Sequence, residues 1–151
     1  MREKRTIYLA YGSNLNISQM TWRYPDAKPL GATILQDYKL TFWGGCGHAV
    51  ATIIPCEGSF VPVALWSITP TDEHALDEYE GYPHLYRKEY LWLKWGGRKV
   101  NAMVYIMNHG NVNRPSRSYF TTILNGYRDF AIDPEPLFRA LRETQGKPSQ
   151  P

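Results

Sequence analysis

Six segments rich in β-branched and aromatic residues, each ending at Gly, Pro or a polar cluster, occupy the first two thirds of the chain: residues 6–11, 38–43, 48–55, 61–68, 90–95 and 99–107. Such segments read as strands that bury at least one face. Between the last two stands Gly96-Gly97, a pair suited to a tight hairpin turn that needs positive φ. Hairpin-length links favour antiparallel neighbours, and a sheet of about six short strands manages its edges by curling or closing. The expected fold class is therefore α+β: a small closed or strongly curled, mainly antiparallel β-barrel of about six strands flanked by helices.

Helical signals are fewer and sharper. A short helix fits 16–24 and ends before Pro25. Thr69-Pro70 followed by Asp72 supplies a cap, a first-turn proline and a first-turn carboxylate, opening a helix whose Ala75, Leu76 and Tyr79 face inward until Gly81 ends it. Ser116 opens a longer helix carrying Tyr119, Phe120, Ile123, Leu124 and Tyr127 on one face, and Asp133-Pro134 caps a last one with Leu137 and Leu141. Residues 146–151 read as a disordered tail, which leaves 1–145 as a single domain. A chain of 151 residues with 43% hydrophobic side chains can bury a core without disulfide or metal staples. Trp22, Trp43, Trp66 and Trp92 are expected in that core, since aromatics enriched on strands usually pack.

Charge excludes several functional classes. The net charge is +3, the positive residues are spread out, and the one cluster, Arg2-Lys4-Arg5, reads as a solvated end. Nucleic acid is not an expected partner. No apolar run approaches the ~18 residues of a membrane span, and the basic start lacks the apolar stretch of a secretory signal, so a cytoplasmic protein with no membrane partner is expected. Cys46 and Cys56 read as reduced thiols, and the four histidines share no ligand spacing, so no metal site is expected. Oligomeric state is open between monomer and homodimer.

Three places could carry chemistry. In Tyr8-Leu-Ala-Tyr-Gly-Ser-Asn-Leu15 an apolar run breaks at Gly12 into a polar loop. Gly12 can adopt positive φ, successive N–H groups of such a turn can converge on an anion, and Ser13 or Asn14 can cap a helix whose dipole adds to the site. Plain turn chemistry fits the same residues and is the commoner use of them. Glu80 sits in the last turn of the helix capped by Thr69, where the dipole disfavours negative charge. Asp77 and Glu78 would push its pKa up and Arg87 and Lys88 would oppose them, giving a poised acid/base; a solubilising acidic helix surface is the alternative. Cys46, beside His48, is a weaker candidate nucleophile. Arg23 is expected to anchor the first helix to the sheet, with substrate contact as the alternative.

Four blocks in this order resemble the γ-glutamylcyclotransferase family over about Ile7 to Leu141: Tyr8 to Leu15; Met20-Thr-Trp-Arg23 with Pro25 and Ala27; Leu76-Asp-Glu-Tyr-Glu-Gly81 with Tyr86; and Pro115-Ser-Arg-Ser-Tyr119 with Gly126-Tyr127. The resemblance implies a small β-barrel flanked by helices, and attack of a γ-glutamyl α-amine on its own γ-carbonyl to give 5-oxoproline and a free amine. It matches Glu80 to the catalytic carboxylate. Tyr11, Gly12, Ser13, Asn14 and Leu15 match the loop that grips the glutamyl α-amino and α-carboxylate groups, and Tyr86 and Tyr119 match tyrosines that line or order the pocket. The partner it implies is a small γ-glutamyl compound, with no cofactor. A module that binds such a ligand without turning it over is the competing expectation.

Overall fold

The computed structural model describes residues 4–145, so the expected tail at 146–151 and Arg2 of the basic cluster lie outside the described residues. Five strands, β1 (Thr6–Ala10), β2 (Lys28–Trp43), β3 (Val50–Ile68), β4 (Tyr86–Trp95) and β5 (Arg98–Met107), form one mixed sheet in the order β2-β3-β1-β5-β4. Four helices, α1 (Ile17–Arg23), α2 (Pro70–Glu80), α3 (Arg117–Asp129) and α4 (Glu135–Gln145), and a 3-10 turn at Ser13–Leu15 complete the α+β fold.

The closed or strongly curled barrel of six strands is not what forms. The sheet is open, with β2 and β4 at opposite ends and no ladder between them. The two ends touch through side chains only: Thr33 Oγ1 bonds the Lys94 carbonyl at 3.2 Å, and the Trp95 ring lies over Gly31. The strand count falls because residues 48–55 and 61–68 belong to one strand. Pro55 and Gly58 resemble a break, yet β3 runs through them, paired to β2 across a register shift between Gln36 and Tyr38. Asp37 alone, at φ 66, stands there opposite the four β3 residues 56–59, and its carboxylate accepts from the Gly58 N–H at 3.0 Å. A bulge of this kind bends a strand without ending it.

Short β1 joins two long hairpins. It is antiparallel to β3, from Thr6 opposite Ile68 to Ala10 opposite Ala64, and parallel to β5 at Tyr8 opposite Met103. Leu9 on β1 and, on the strands beside it, Leu65 and Met103 are fully buried. Gly96 and Gly97, at φ 57 and 77, make the β4–β5 turn as their sequence requires. Arg5 is not a solvated end: its guanidinium donates to the Ser67 Oγ and carbonyl at 2.7 and 2.8 Å and to the Asp26 carbonyl at 2.7 Å. Trp66 is fully buried as expected, whereas Trp22 and Trp92 stand 84% and 68% exposed, because α1 and edge strand β4 each turn one face outward.

Helix α3 braces the loop after β1. A Cβ on Gly126 would lie 2.8 Å from the Leu15 and Asn16 backbone, so only glycine allows this approach. Asn16 Nδ2 donates to the Thr122 carbonyl at 3.0 Å, and the Ile17 N–H donates to Asp129 Oδ2 at 3.0 Å. The residue capping α1 is Asn16, which accepts from the Gln19 N–H at 3.0 Å, in place of Ser13 or Asn14. Asp129 of α3 occupies the first N–H of α1, so that donor is not available to a ligand at the Gly12 loop.

Candidate active site

Local chemistry fixes the end of α2. Thr69 and Asp72 cap it reciprocally, each side chain 3.0 Å from the other's N–H, and Gly81 in the left-handed region (φ 66) stops it one residue after Glu80. Leu76 is the buried anchor; Ala75 and Tyr79, expected to face inward, are exposed. The Glu80 side chain opens into a cavity of about 160 Å³ at the junction of β1, β3, α2, β5 and α3.

Tyr11, Gly12, Ser13, Asn14, Tyr86 and Tyr119 line the same cavity. Leu15 does not: it is fully buried in the core against Gly126. Cys46 and His48 lie outside it, on the loop before β3. Tyr8, Tyr79 and Tyr105 also line the cavity; Tyr8 and Tyr79 stand inside the blocks that carry the resemblance without being assigned to the site, and Tyr105 stands in none of them. Period-two alternation puts Tyr8 on one face of β1, and this was the available signal; which face meets Glu80 depends on the sheet order.

Gly12 does not use positive φ. Its φ is −117°, and a Cβ there would come 3.2 Å from the Ala51 Cβ and 3.5 Å from the Tyr119 hydroxyl, so a side chain would press on the cavity wall. The chain then tightens into the 3-10 turn, with the Leu15 N–H on the Gly12 carbonyl and the Asn16 N–H on the Ser13 carbonyl, both at 3.0 Å. The N–H groups of Gly12, Ser13 and Asn14 have no main-chain acceptor among the described residues. Consecutive N–H groups left without a main-chain acceptor on a cavity wall are donors that can converge on an anion.

The tyrosines form a rigid wall. Tyr86 donates to the Ala51 carbonyl at 2.9 Å and Tyr119 accepts from the Ala51 N–H at 3.0 Å, clamping one β3 residue from both sides. Tyr11 donates to the Tyr105 carbonyl, and Tyr105 donates to Asp77, both at 2.6 Å. Burial pushes the pKa of Tyr8, Tyr11, Tyr86 and Tyr119 upward, so all four stay neutral near pH 7.

Glu80 is the carboxylate among them. Burial lifts its pKa from 4.5 to about 7, and the Arg23 guanidinium pulls the other way. The upward direction agrees with the sequence reading, but the cause differs. Asp77 is neutralised by Lys88 Nζ at 2.9 Å, Glu78 pairs with His74 at 3.4 Å, and Arg87 is held by Glu89. Arg23 is the cation that counts, and it does not anchor α1 to the sheet. It donates to Asn14 Oδ1 at 3.3 Å and stacks 4.2 Å over the Tyr79 ring, joining the Gly12 loop to α2.

Residues 8–123 match the model of the family described as Gamma-glutamyl cyclotransferase, AIG2-like. The chain belongs to that family. Gamma-glutamylcyclotransferase from Homo sapiens is 29% identical over 136 residues, covering 84% of this chain and 72% of the relative. The Mus musculus enzyme of the same name is 28% identical over 141 residues, covering 85% and 73%. Among solved structures, a gamma-glutamyl cyclotransferase superposes with a TM-score of 0.80 at 22% identity, covering 97% of this chain and 90% of that one. A yeast gamma-glutamyl cyclotransferase specific to glutathione superposes at 0.60 and 12% identity, covering 93% and 99%, a likeness of fold alone. For this cyclotransferase-family chain, no described helix is long and apolar enough to cross a membrane, and no cluster of three or more metal-ligating side chains occurs among the described residues.

Proposed function

We propose that the protein is a γ-glutamyl cyclotransferase that releases 5-oxoproline and a free amine or amino acid from a small γ-glutamyl compound, with Glu80 as general acid/base. One observation carries the reading: a carboxyl group titrating at about 7 shares a small cavity with three unclaimed N–H groups at residues 12–14.

An α-amine has a pKa near ~8, so at neutral pH most of it is protonated and cannot attack. A carboxylate of pKa about 7 is closely matched to that proton, whereas an ordinary one at 4.5 would be a far weaker base. Glu80 takes the proton, the amine nitrogen bonds to the γ-carbon, and a tetrahedral oxyanion forms. The bond from the γ-carbon to the leaving nitrogen then breaks as Glu80 returns the proton to that nitrogen. The second proton left on the ring nitrogen follows through Glu80 to the departing amine, so the lactam keeps one N–H and the amine leaves as its ammonium form. Protons balance within the site, and the step calls for no oxidant or second substrate.

The N–H donors at 12–14 hold the α-carboxylate and bend the glutamyl chain so that amine and carbonyl meet. Nucleophile and electrophile belong to one molecule, so orientation alone supplies several kcal/mol, toward the ~7–11 of ideal cases. The clamped tyrosines keep water out and the wall fixed. Incubating the protein with γ-glutamyl amino acids, dipeptides and amines, with mass-spectrometric detection of 5-oxoproline, tests the reading. Wild type should turn over at least one compound, and Glu80→Gln should lose about 10²–10⁴-fold in rate. Binding without turnover, equal in wild type and Glu80→Gln, would make the protein a binding module instead.

A further inference from the structure

Arg23 fixes the direction of a hydrogen-bond chain that ends in the cavity. A guanidinium only donates, so its contact with Asn14 Oδ1 at 3.3 Å turns the Asn14 amide nitrogen the other way, where it donates to the Tyr8 hydroxyl oxygen at 3.0 Å. With that oxygen accepting, the Tyr8 hydrogen must leave toward another acceptor. None lies within hydrogen-bond distance among the described residues, and Tyr8, 4% exposed, lines the cavity.

The other phenols differ. Tyr11, Tyr86 and Tyr105 have each spent their hydrogen on a protein oxygen. Tyr119 keeps its own, but its oxygen is held by the neutral Ala51 amide with no cation behind it. Tyr8 is the donor whose direction is set by a permanent positive charge two bonds back, and a polarised chain donates more strongly at its end.

We infer that Tyr8 donates to the γ-carbonyl oxygen of the substrate as that oxygen becomes an oxyanion, with Asn14 and Arg23 as the positioning residues that aim it. The inference rests on the cyclotransferase reading. Glu80 works on the amine and on the leaving nitrogen, so the γ-carbon lies beside it, and its carboxylate is close enough to act on the Tyr8 phenol. Burial and that carboxylate together hold the phenol well above its ordinary pKa of 10.0, so Tyr8 remains a donor throughout the working pH range.

The test compares wild type, Tyr8→Phe, Arg23→Met and Arg23→Lys on the γ-glutamyl compound that wild type turns over fastest. Tyr8→Phe should lower kcat by about 10²-fold, the usual cost of one oxyanion donor, with KM within about twofold. Arg23→Met should lower kcat by about tenfold and move the acid limb of kcat/KM to higher pH, while Arg23→Lys, which keeps charge and donor, should recover most of both. Should Tyr8→Phe not fold, 3-fluorotyrosine at position 8 keeps the ring in place, and kcat should change with KM constant. An unchanged kcat in either Tyr8 variant, or a rise in KM alone, overturns the inference while the cyclotransferase reading stands. Wild type that turns over none of the compounds removes both.

Discussion

Replacing Glu80 by Gln should stabilise the fold at alkaline pH while lowering the rate about 10²–10⁴-fold. In the folded protein Glu80 titrates at about 7 rather than 4.5, so between these values the native state binds a proton that the unfolded chain has released. Stability therefore falls as pH rises through this window, since its slope has the sign of protons bound unfolded minus protons bound folded. The gap corresponds to about 3 kcal/mol, fully lost by about pH 8, a large share of a domain's ~5–15 kcal/mol. Gln stays neutral and escapes the loss. Urea unfolding of both proteins at pH 4, 6 and 8 measures it: Glu80→Gln should gain about 3 kcal/mol on wild type between pH 4 and pH 8. Parallel curves for the two proteins would refute a buried, elevated carboxyl at position 80, and with it the proton match on which the mechanism depends.

Other perturbations separate positioning from stability. The kcat/KM of wild type should rise with pH through about 7, because the base must be ionised to act, and a pH–rate profile on a γ-glutamyl substrate reads the midpoint. Gly126→Ala should cost about 1–3 kcal/mol in urea unfolding, since the new methyl meets Leu15 and Asn16 backbone at 2.8 Å, and should raise KM by shifting the loop. Gly12→Ala meets only the Ala51 Cβ at 3.2 Å and the Tyr119 hydroxyl at 3.5 Å, so kcat/KM should fall more than tenfold while the unfolding midpoint moves little. Thr69→Ala removes the α2 cap and should cost about 1 kcal/mol in thermal or urea unfolding, with the pH midpoint of activity unchanged.

Features set by neighbouring residues were legible in the sequence. The two ends of α2 follow from Thr69, Pro70, Asp72 and Gly81, and the β4–β5 turn follows from Gly96-Gly97. Features set by distant pairing were not. Pro55 and Gly58 look like a strand end, and only the pairing of β2 on both sides of a bulge at residues 56–59, opposite Asp37, shows why β3 continues. Edge closure depends on which strands become neighbours, information that alternation within each strand does not contain, so an open sheet and a barrel read alike. The upward drift of Glu80 was inferred from its own helix, but the burial responsible comes from tyrosines on other elements. The counter-cation likewise sits on α1, far from the lysine and arginine just after α2.

The bracing of the Gly12 loop has a consequence for biosynthesis. Asn16 and Ile17 leave the ribosome well before the residues that hold them, Thr122 and Asp129, 106 and 112 positions later. The sheet can assemble once β5 has emerged, yet the ligand-holding turn stays unsupported until α3 follows. A nascent chain that has reached only residue 110 would thus carry Glu80 beside a turn that α3 does not yet brace.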